Sequence, residues 1–375
     1  MEGTGILRYF YLVGFANALF FSILIFSKSK RSRADNLLAG WLIFLSLHLL
    51  IPFLYLSDLS RYYPFAGIEI AFYVLHPLML YLYIKSIIGR FPNRKQLFIF
   101  ILFALLAELI MLSFFLIPAQ DRYKIIMGEI PINLYLYLII IPVGIYFFYF
   151  IIQSFKVLKD YKLNVLEIYS YKENVDLLWL RRLVLFFYGS FILCIPVLGI
   201  FYLNKVPLAE ADYVYFAFLT IFIFFIGYWG YKQGEIFNLH EEVPIDNEKP
   251  AMENHSTHLH PIPEEKIIAV KKIMEIEKPY LNPSLTIYEL AKMVDFQPHY
   301  LSRLINQEYH CNFFEFVNQY RIKTFKEYLT TNKFKDFTLL GIALECGFNS
   351  KSAFNRIFKE HTGLTPTEYK RKIAS

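Results

Sequence analysis

The sequence predicts an all-α protein in which a seven-helix transmembrane bundle precedes an all-helical soluble domain. Of its 375 residues, 56% are hydrophobic and only 19% are charged, whereas soluble globular proteins carry about 25% charged residues. Long apolar stretches fill the chain as far as Tyr231, a polar stretch with several prolines follows, and short capped helices begin near Glu264. We therefore divide the chain into a membrane domain (1–231), a linker (232–263) and a C-terminal domain (264–375).

Seven apolar stretches are long enough to cross a bilayer, which requires roughly 20 residues of helix. Buried helices of a large soluble protein are the alternative reading. Helices in such proteins average about 11–12 residues, so seven long ones in succession favour the membrane. The predicted spans are Ile6–Phe26, Leu37–Leu56, Ala66–Ile88, Leu97–Ile117, Ile132–Phe155, Leu183–Leu203 and Tyr213–Tyr231.

The distribution of basic residues predicts the orientation of the bundle. With the N-terminus outside, the inner loops hold 14 Lys and Arg residues and the outer loops hold four. Basic residues accumulate on the cytoplasmic side of membrane proteins. We therefore expect a multi-pass protein of the inner (cytoplasmic) membrane, with the N-terminus outside and the C-terminus in the cytoplasm.

The sequence shows no sign of catalytic or metal chemistry. Cys194, Cys311 and Cys346 have no metal-ligand spacing, and reduced structural thiols are the default for such cysteines. His255, His258 and His260 lie in the polar linker without a further ligand motif, and we interpret them as solvated. We predict no catalytic residues, no metal and no cofactor, and hence a protein that is not an enzyme.

The C-terminal domain contains the start signals of successive short helices. Capping boxes begin at Thr286 and Asn312, Pro298 is suited to a first helical turn, and Thr338 and Ser350 are further caps. The expected helices run from about Glu264 to Lys278, from Thr286 to Asp295, from Pro298 through Ile305, from Asn312 to Leu329, from Thr338 through Leu344, from Ser350 to Gly363, and from Thr365 to Ile373. Two pairs of short helices, each joined by a tight turn, predict two helix-turn-helix units.

The second helix of each unit carries a polar, partly basic face. Arg and Lys suit guanine edges or phosphates, Asn suits adenine, and Ser adapts to either. The domain is only modestly basic, with 13 Lys and Arg against nine Asp and Glu from Leu281 to Ser375. An ordinary solvated face is the alternative for any one of these residues. The candidate DNA-binding residues are His299, Ser302, Arg303, Asn306, Lys351, Ser352, Asn355, Arg356 and Lys359.

The stretch from about Leu285 to Lys372 resembles the AraC/XylS-type DNA-binding domain. The resemblance rests on Leu290-Ala291, Tyr300-Leu301-Ser302-Arg303-Leu304, Tyr320-Arg321-Ile322, Gly347-Phe348-Asn349-Ser350, Phe354-Asn355-Arg356-Ile357-Phe358-Lys359 and Thr362-Gly363-Leu364-Thr365-Pro366. It implies two subdomains joined by a long helix, whose third and sixth helices enter successive major grooves. It also implies that the readers are His299, Ser302, Arg303, Lys351, Ser352, Asn355 and Arg356.

Two residues depart from the pattern of that family. Asp295 occupies a turn where many members carry glycine, so we expect strain there. Gly341 lies inside the expected fifth helix, where glycine costs about 1 kcal/mol relative to a better helix former. In the membrane half, Gly227-Tyr228-Trp229-Gly230-Tyr231 is similar to the last span of membrane-bound regulators that carry such a domain.

Three ionisable residues, His48, His76 and Glu108, fall near the midpoints of their predicted spans. Ionisable groups in a bilayer are costly and often functional, so these three are candidates for a ligand-sensing site. Hydrogen bonds that hold the bundle together are the alternative.

Together these features predict a membrane-anchored one-component transcription regulator. The bundle senses a small-molecule or membrane signal that the sequence does not identify, and the C-terminal domain binds double-stranded promoter DNA. The bilayer is a second partner, and RNA polymerase and a second copy of the chain are further candidates. A transporter or membrane enzyme with a regulatory DNA-binding tail is the alternative, and a helical module that binds proteins is another.

Overall fold

A computed structural model describes residues 2–57, 69–126, 134–172, 177–203, 208–237, 262–331, 334 and 336–374. The chain divides into two compact units. The first comprises Met1–Leu158 and Leu178–Ile245, and the second comprises Lys159–Leu177 and Asp246–Ser375. The described residues form helices and no strand, which confirms the predicted all-α class. The part of the expected linker from residue 238 to residue 261, which includes His255, His258 and His260, lies outside the described residues.

Long apolar helices build the first unit. Each of the seven predicted spans overlaps one of them, and a short helix and a 3-10 turn lie between the fourth and the fifth. The helices are α1 (Glu2–Phe26), α2 (Arg33–Ser57), α3 (Glu69–Ile87), α4 (Arg94–Leu112), the 3-10 turn Ser113–Leu116, α5 (Ala119–Ile126), α6 (Leu134–Ile168), α7 (Leu178–Leu203) and α8 (Leu208–Phe237).

Five stretches of these helices are long and apolar enough to cross a membrane. Within the described residues they are Tyr9–Phe26, Arg33–Ile51, Arg94–Leu116, Ile141–Ile168 and Val214–Lys232, and a shorter apolar helix covers Phe72–Ile87. Their outer surfaces are apolar as well: Phe98 and Leu109 of α4 are 66% and 67% exposed. Large contiguous apolar surfaces are rare on soluble proteins, so this surface suggests association with lipid.

Glycines let three helices of the first unit approach closely. A Cβ at Gly227 of α8 would overlap the ring of Phe21 in α1, and one at Gly230 would overlap Leu38 in α2. Both glycines belong to the GYWGY stretch singled out in the sequence. Small residues at helix contacts are a general device of membrane bundles, because backbones can then pack without intervening side chains.

An ion pair closes the loop between α1 and α2. The Nζ atom of Lys28 lies 2.6 Å from Oδ1 of Asp35, and both side chains are mostly buried. The same ammonium donates to the backbone oxygen of Gly230 at 3.3 Å. One cation thereby links the loop after α1 to the first turn of α2 and to α8 inside the first unit.

The helices of the second unit follow the sequence predictions to within a few residues. They are α9 (Glu264–Ile276), the 3-10 turn Pro279–Leu281, α10 (Ile287–Met293), α11 (Pro298–Tyr309), α12 (Phe313–Thr330), α13 (Leu339–Glu345), α14 (Lys351–Thr362) and α15 (Pro366–Ala374). The predicted side-chain caps form: Thr286 accepts from the N–H of Glu289, and Ser350 accepts from that of Ala353. The 3-10 turn was not predicted.

The turns of the two helix-turn-helix units both require a left-handed backbone. Asp295 adopts φ of 55° and Gly347 adopts φ of 88°. An L-residue other than glycine pays about 1–2 kcal/mol in this region, which is the strain expected at Asp295. Gly347 has a second constraint, because a Cβ there would overlap the backbone oxygen of Tyr280 and lie 2.9 Å from that of Leu281.

Gly341 lies at the third position of α13, in the turn that Thr338 caps. Its N–H donates to Oγ1 of Thr338 at 3.0 Å. A Cβ would lie 3.3 Å from both that oxygen and Cδ1 of Phe337. The glycine therefore leaves room for the cap, which offsets its poor helix propensity.

Arg321 of α12 is the central polar group of the second unit, and it is 1% exposed. Its Nε donates to the backbone oxygen of Tyr280 at 2.7 Å, and its Nη2 donates to that of Asn282 at 2.8 Å. Its two Nη atoms also donate to the backbone oxygen and the Oγ of Ser170, at 3.0 and 3.1 Å. One side chain thus joins α12, the turn after α9, and the segment 159–177.

We predict that Gly347→Ala destabilises the second unit by clearly more than Gly363→Ala. Gly363 also has a positive φ, of 74°, but a Cβ there meets nothing within 4 Å. Gly363→Ala should therefore cost only the backbone strain of about 1–2 kcal/mol, while Gly347→Ala adds a steric clash. Hydrogen exchange of the purified full-length protein, read on peptides of α12–α14, measures the two opening free energies. Equal costs would contradict the close approach to Tyr280.

Arg321→Ala should lower the free energy of local unfolding of the second unit by about 3–5 kcal/mol, because it leaves several buried carbonyl oxygens without their charged donor. Arg321→Lys should recover part of this loss, since an ammonium still reaches some of the oxygens. The exposed Lys323 of the same helix is the matched control, with an expected effect within about 0.5 kcal/mol. The same exchange measurement applies, and a loss no larger than that of Lys323→Ala would contradict the central role of Arg321.

Candidate nucleic-acid interface

Two helix pairs have the arrangement of a helix-turn-helix unit. In the first, α10 is followed by a turn through Asp295 and then by α11. In the second, α13 is followed by a turn through Gly347 and then by α14. In both, the helix after the turn is the one expected to enter the major groove.

Hydrophobic contacts fix the orientation of α11. Leu301, Leu304 and Ile305 are completely buried, and they belong to one core with residues of α9, α10 and α12. The predicted readers lie on the other side of the helix: His299, Arg303 and Asn306 are exposed, and Ser302 is half-buried. The core therefore fixes α11 so that its polar face is presented outward, as the sequence predicted.

The polar face of α11 already has partners. The guanidinium of Arg303 lies 5.2 Å from the centre of the Tyr300 ring, a cation–π contact. The Nδ2 of Asn306 donates to the backbone oxygen of Ser302 at 3.0 Å. In addition, the Oγ of Ser302 donates to Oε2 of Glu167 at 2.8 Å, and Asn306 donates to the same oxygen at 3.3 Å. One carboxylate from the segment 159–177 thus accepts hydrogen bonds from two of the predicted DNA-reading residues.

The second reading helix, α14, is fixed in the same way. Ala353, Phe354, Ile357 and Phe358 are buried in a second core. All five predicted readers of this helix are exposed, namely Lys351, Ser352, Asn355, Arg356 and Lys359.

Arg356 forms an ion pair with Glu360 one turn later on α14. The Nη1 of Arg356 lies 3.3 Å from the Glu360 carboxylate, and the two side chains are 42% and 58% exposed. Exposed pairs of this kind contribute roughly 0–1 kcal/mol, so a phosphate or a guanine edge can replace Glu360 at little cost.

The long helix α12 connects the two units because its side chains enter both cores. Phe313, Phe316 and Val317 pack in the core of the first unit, while Phe314, Ile322 and Phe325 pack in the core of the second. Because α12 contributes to both cores, it connects the two units, as its length and position predicted.

The two cysteines of the second unit, Cys311 and Cys346, are buried. Burial raises the pKa of the Cys311 thiol to about 11 and that of Cys346 to about 12, so both are protonated at neutral pH. Among the described residues, no group of three or more His, Cys, Asp or Glu side chains is placed to hold a metal ion.

Two of the three intramembrane candidates meet in the first unit. Nδ1 of His48 lies 2.8 Å from Nε2 of His76, and the indole N–H of Trp41 donates to Nδ1 of His76 at 3.1 Å. Because Trp41 can only donate, Nδ1 of His76 accepts, so its Nε2 carries the hydrogen and donates to His48. The remaining N–H of His48, on Nε2, has no hydrogen-bond partner among the described residues.

The third candidate, Glu108 of α4, is not hydrogen-bonded to either histidine in the part of the chain that the structure describes. Its buried Oε2 has no hydrogen-bond partner among the described residues. Of the three candidates, the described structure therefore connects only His48 and His76 by a hydrogen bond.

The sequence analysis did not identify three features at or behind the interface. It missed the contacts of Glu167 and of Ser170, and it missed the structural role of Arg321. Arg321 did appear in the Tyr320-Arg321-Ile322 motif, which was the one available signal. Glu167 and Ser170 lie in what the hydropathy pattern marks only as a loop between two spans, and no local pattern links them to α11 or α12.

Comparison with known proteins supports the domain assignment. Residues 290–372 match a protein family described as a helix-turn-helix domain. The chain is 34% identical over 93 residues to the uncharacterized transcriptional regulatory protein YesN of Bacillus subtilis, an alignment that covers 24% of this chain and 25% of that protein. It is 31% identical over 91 residues to the uncharacterized HTH-type transcriptional regulator YtdP of the same organism, covering 24% of this chain and 11% of the relative.

An uncharacterized HTH-type transcriptional regulator of Staphylococcus aureus is also similar, with 31% identity over 101 residues, or 27% of this chain and 13% of that protein. The chain thus spans a quarter or less of the length of these relatives. No solved structure matches it. The similarity and the two helix pairs together establish that the C-terminal part contains an AraC-type helix-turn-helix domain.

Proposed function

We propose that this protein is a transcription regulator anchored in the membrane by its N-terminal helices. The observation that carries the proposal is the pair of helices α11 and α14. Each buries its apolar side in a core shared with α12 and presents a polar, partly basic side outward. Double-stranded DNA is the partner that such a face fits, because Arg, Asn and Ser match the hydrogen-bonding groups of base edges and phosphates.

Membrane anchoring is supported by the apolar helices of the first unit and by the excess of basic residues in the predicted inner loops. The C-terminal domain then lies in the cytoplasm, where DNA is accessible. The relatives named as transcriptional regulators support the regulatory role for the C-terminal part. RNA polymerase and a second copy of the chain remain candidate partners of that part.

We further propose that the chain Trp41–His76–His48 is where the membrane unit senses its signal. It is a continuous hydrogen-bonded line of buried side chains, and it ends in the Nε2–H of His48, which has no hydrogen-bond partner among the described residues. A signal molecule with an acceptor atom would satisfy that donor. Glu108 is a separate candidate for the same role.

The DNA-binding proposal predicts that the full-length protein selects a shared sequence from genomic fragments. The Arg303→Ala/Arg356→Ala double variant should lose that selectivity. Each arginine that reads a base should contribute about 1–3 kcal/mol and specify one position of the site. Equal weakening on every sequence would identify the arginines as phosphate contacts. The full chain is needed because Ser170, far from the C-terminal domain in sequence, bonds to Arg321. Enrichment of the same fragments with the same affinity by the wild type and the double variant would contradict the role given to these arginines.

The sensing proposal predicts that His48→Phe alters regulatory output without lowering the amount of protein in the membrane. The substitution removes the free donor and the bond to His76 but keeps a ring among the neighbouring aromatics. A reporter gene driven by the selected sequence measures the output. Trp179→Phe, which changes a stacked aromatic pair elsewhere in the unit, is the matched control. An output identical to that of the wild type and the control would contradict the assignment.

A further inference from the structure

The segment between the membrane helices α6 and α7 is part of the C-terminal compact unit. Residues 159–177 group with residues 246–375, although the 68 residues from Leu178 to Ile245 separate them in sequence. The described part of this segment begins in the last turns of α6, which is a continuous helix from Leu134 to Ile168. The chain therefore runs from a predicted membrane span directly into the structure of the DNA-binding domain. We call residues 159–177 the strap.

Ser170 anchors the strap to this domain. Its N–H and its Oγ both donate to the backbone oxygen of Leu285, at 3.2 and 2.7 Å. Its own backbone oxygen accepts from Arg321 and, at 3.2 Å, from Nδ2 of Asn318. The neighbouring Tyr169 forms an isolated antiparallel bridge with Thr286. All of these groups are buried, so the strap is bound specifically.

One turn before this anchor, Glu167 reaches the DNA-reading face of α11. Its Oε2 accepts hydrogen bonds from Ser302 and Asn306, at 2.8 and 3.3 Å. These are donors that would otherwise face phosphate or base acceptors. The carboxylate lies in the last turn of α6, where the helix dipole disfavours negative charge. Its position therefore depends on the two donors of α11 rather than on the stability of its own helix.

We propose that the strap is an autoinhibitory element in which Glu167 takes the place of DNA on the first recognition helix. This inference rests on the proposed function, since it requires α11 to read DNA. A phosphate backbone and the Glu167 carboxylate have the same charge and use the same donors, so they compete for α11. DNA binding therefore requires Glu167 to leave Ser302 and Asn306. Because Glu167 belongs to the helix that continues from the predicted fifth span, the membrane unit can control that departure.

The test compares the DNA affinity of full-length wild type, Glu167→Ala, Glu167→Gln and Asp160→Ala. Asp160 is an exposed acid of the same helix, so its removal changes the net charge equally without freeing α11. We expect Glu167→Ala to bind the selected fragment about tenfold more tightly than the wild type, which corresponds to about 1.4 kcal/mol, the size of one charge-assisted hydrogen bond. Glu167→Gln should fall between the two, because an amide oxygen still accepts from Ser302. Asp160→Ala should stay within about twofold of the wild type.

The outcomes separate the strap from the proposed function. To keep the probe independent of inhibition, the fragments are selected with the wild type and with Glu167→Ala in parallel. Selective binding with the same affinity in all four proteins would overturn the autoinhibitory role and leave the DNA-binding function standing. Equal gains from Glu167→Ala and Asp160→Ala would reduce the effect to net charge and also overturn it. No sequence selected by either protein would overturn the proposed function, and the inference with it.

Discussion

The buried guanidinium of Arg321 is the interaction on which the C-terminal unit depends. It fixes the turn after α9 through Tyr280 and Asn282, and it fixes the strap through Ser170. The same turn supplies the carbonyl that leaves no room for a Cβ at Gly347. Burying a charge is costly unless every donor finds an acceptor, and Arg321 is held in one geometry by several acceptors at once. The core of the first helix-turn-helix unit, the turn of the second unit and the strap are thereby linked through a single side chain.

Local signals in the sequence predicted most of this fold, and the reason is physical. A capping residue such as Thr286 or Ser350 acts on a backbone N–H three residues away, so its effect is visible in the sequence itself. The outward faces of α11 and α14 followed from the spacing of Leu301, Leu304, Phe354 and Phe358. The strain at Asp295 was anticipated from the family resemblance, because many members carry glycine at this position of the turn.

The contacts of the strap could not be predicted in that way. Ser170 and Arg321 are 151 positions apart, and Glu167 and Ser302 are 135 apart. Nothing in the hydropathy of a loop between two spans specifies a partner at such a distance. The intramembrane polar residues show the same limit. The midpoints of the predicted spans suggested that His48, His76 and Glu108 lie at one depth in the membrane. Only the packing of α2 against α3 shows that His48 and His76 meet, and among the described residues Glu108 is not hydrogen-bonded to either of them.

The energetics of the recognition helices explain why a single carboxylate is sufficient for control. Each helix offers only four or five side chains that are proposed to read DNA, and Arg356 is already paired with Glu360. Specific binding then rests on a few contacts of about 1–3 kcal/mol each. Occupying two donors on α11 removes an appreciable share of that energy, and a change of 1.4 kcal/mol shifts binding tenfold. In the proposed mechanism, a regulator anchored in the membrane needs no large domain movement, because displacing one helix end by the length of a hydrogen bond changes the population of protein that can read DNA.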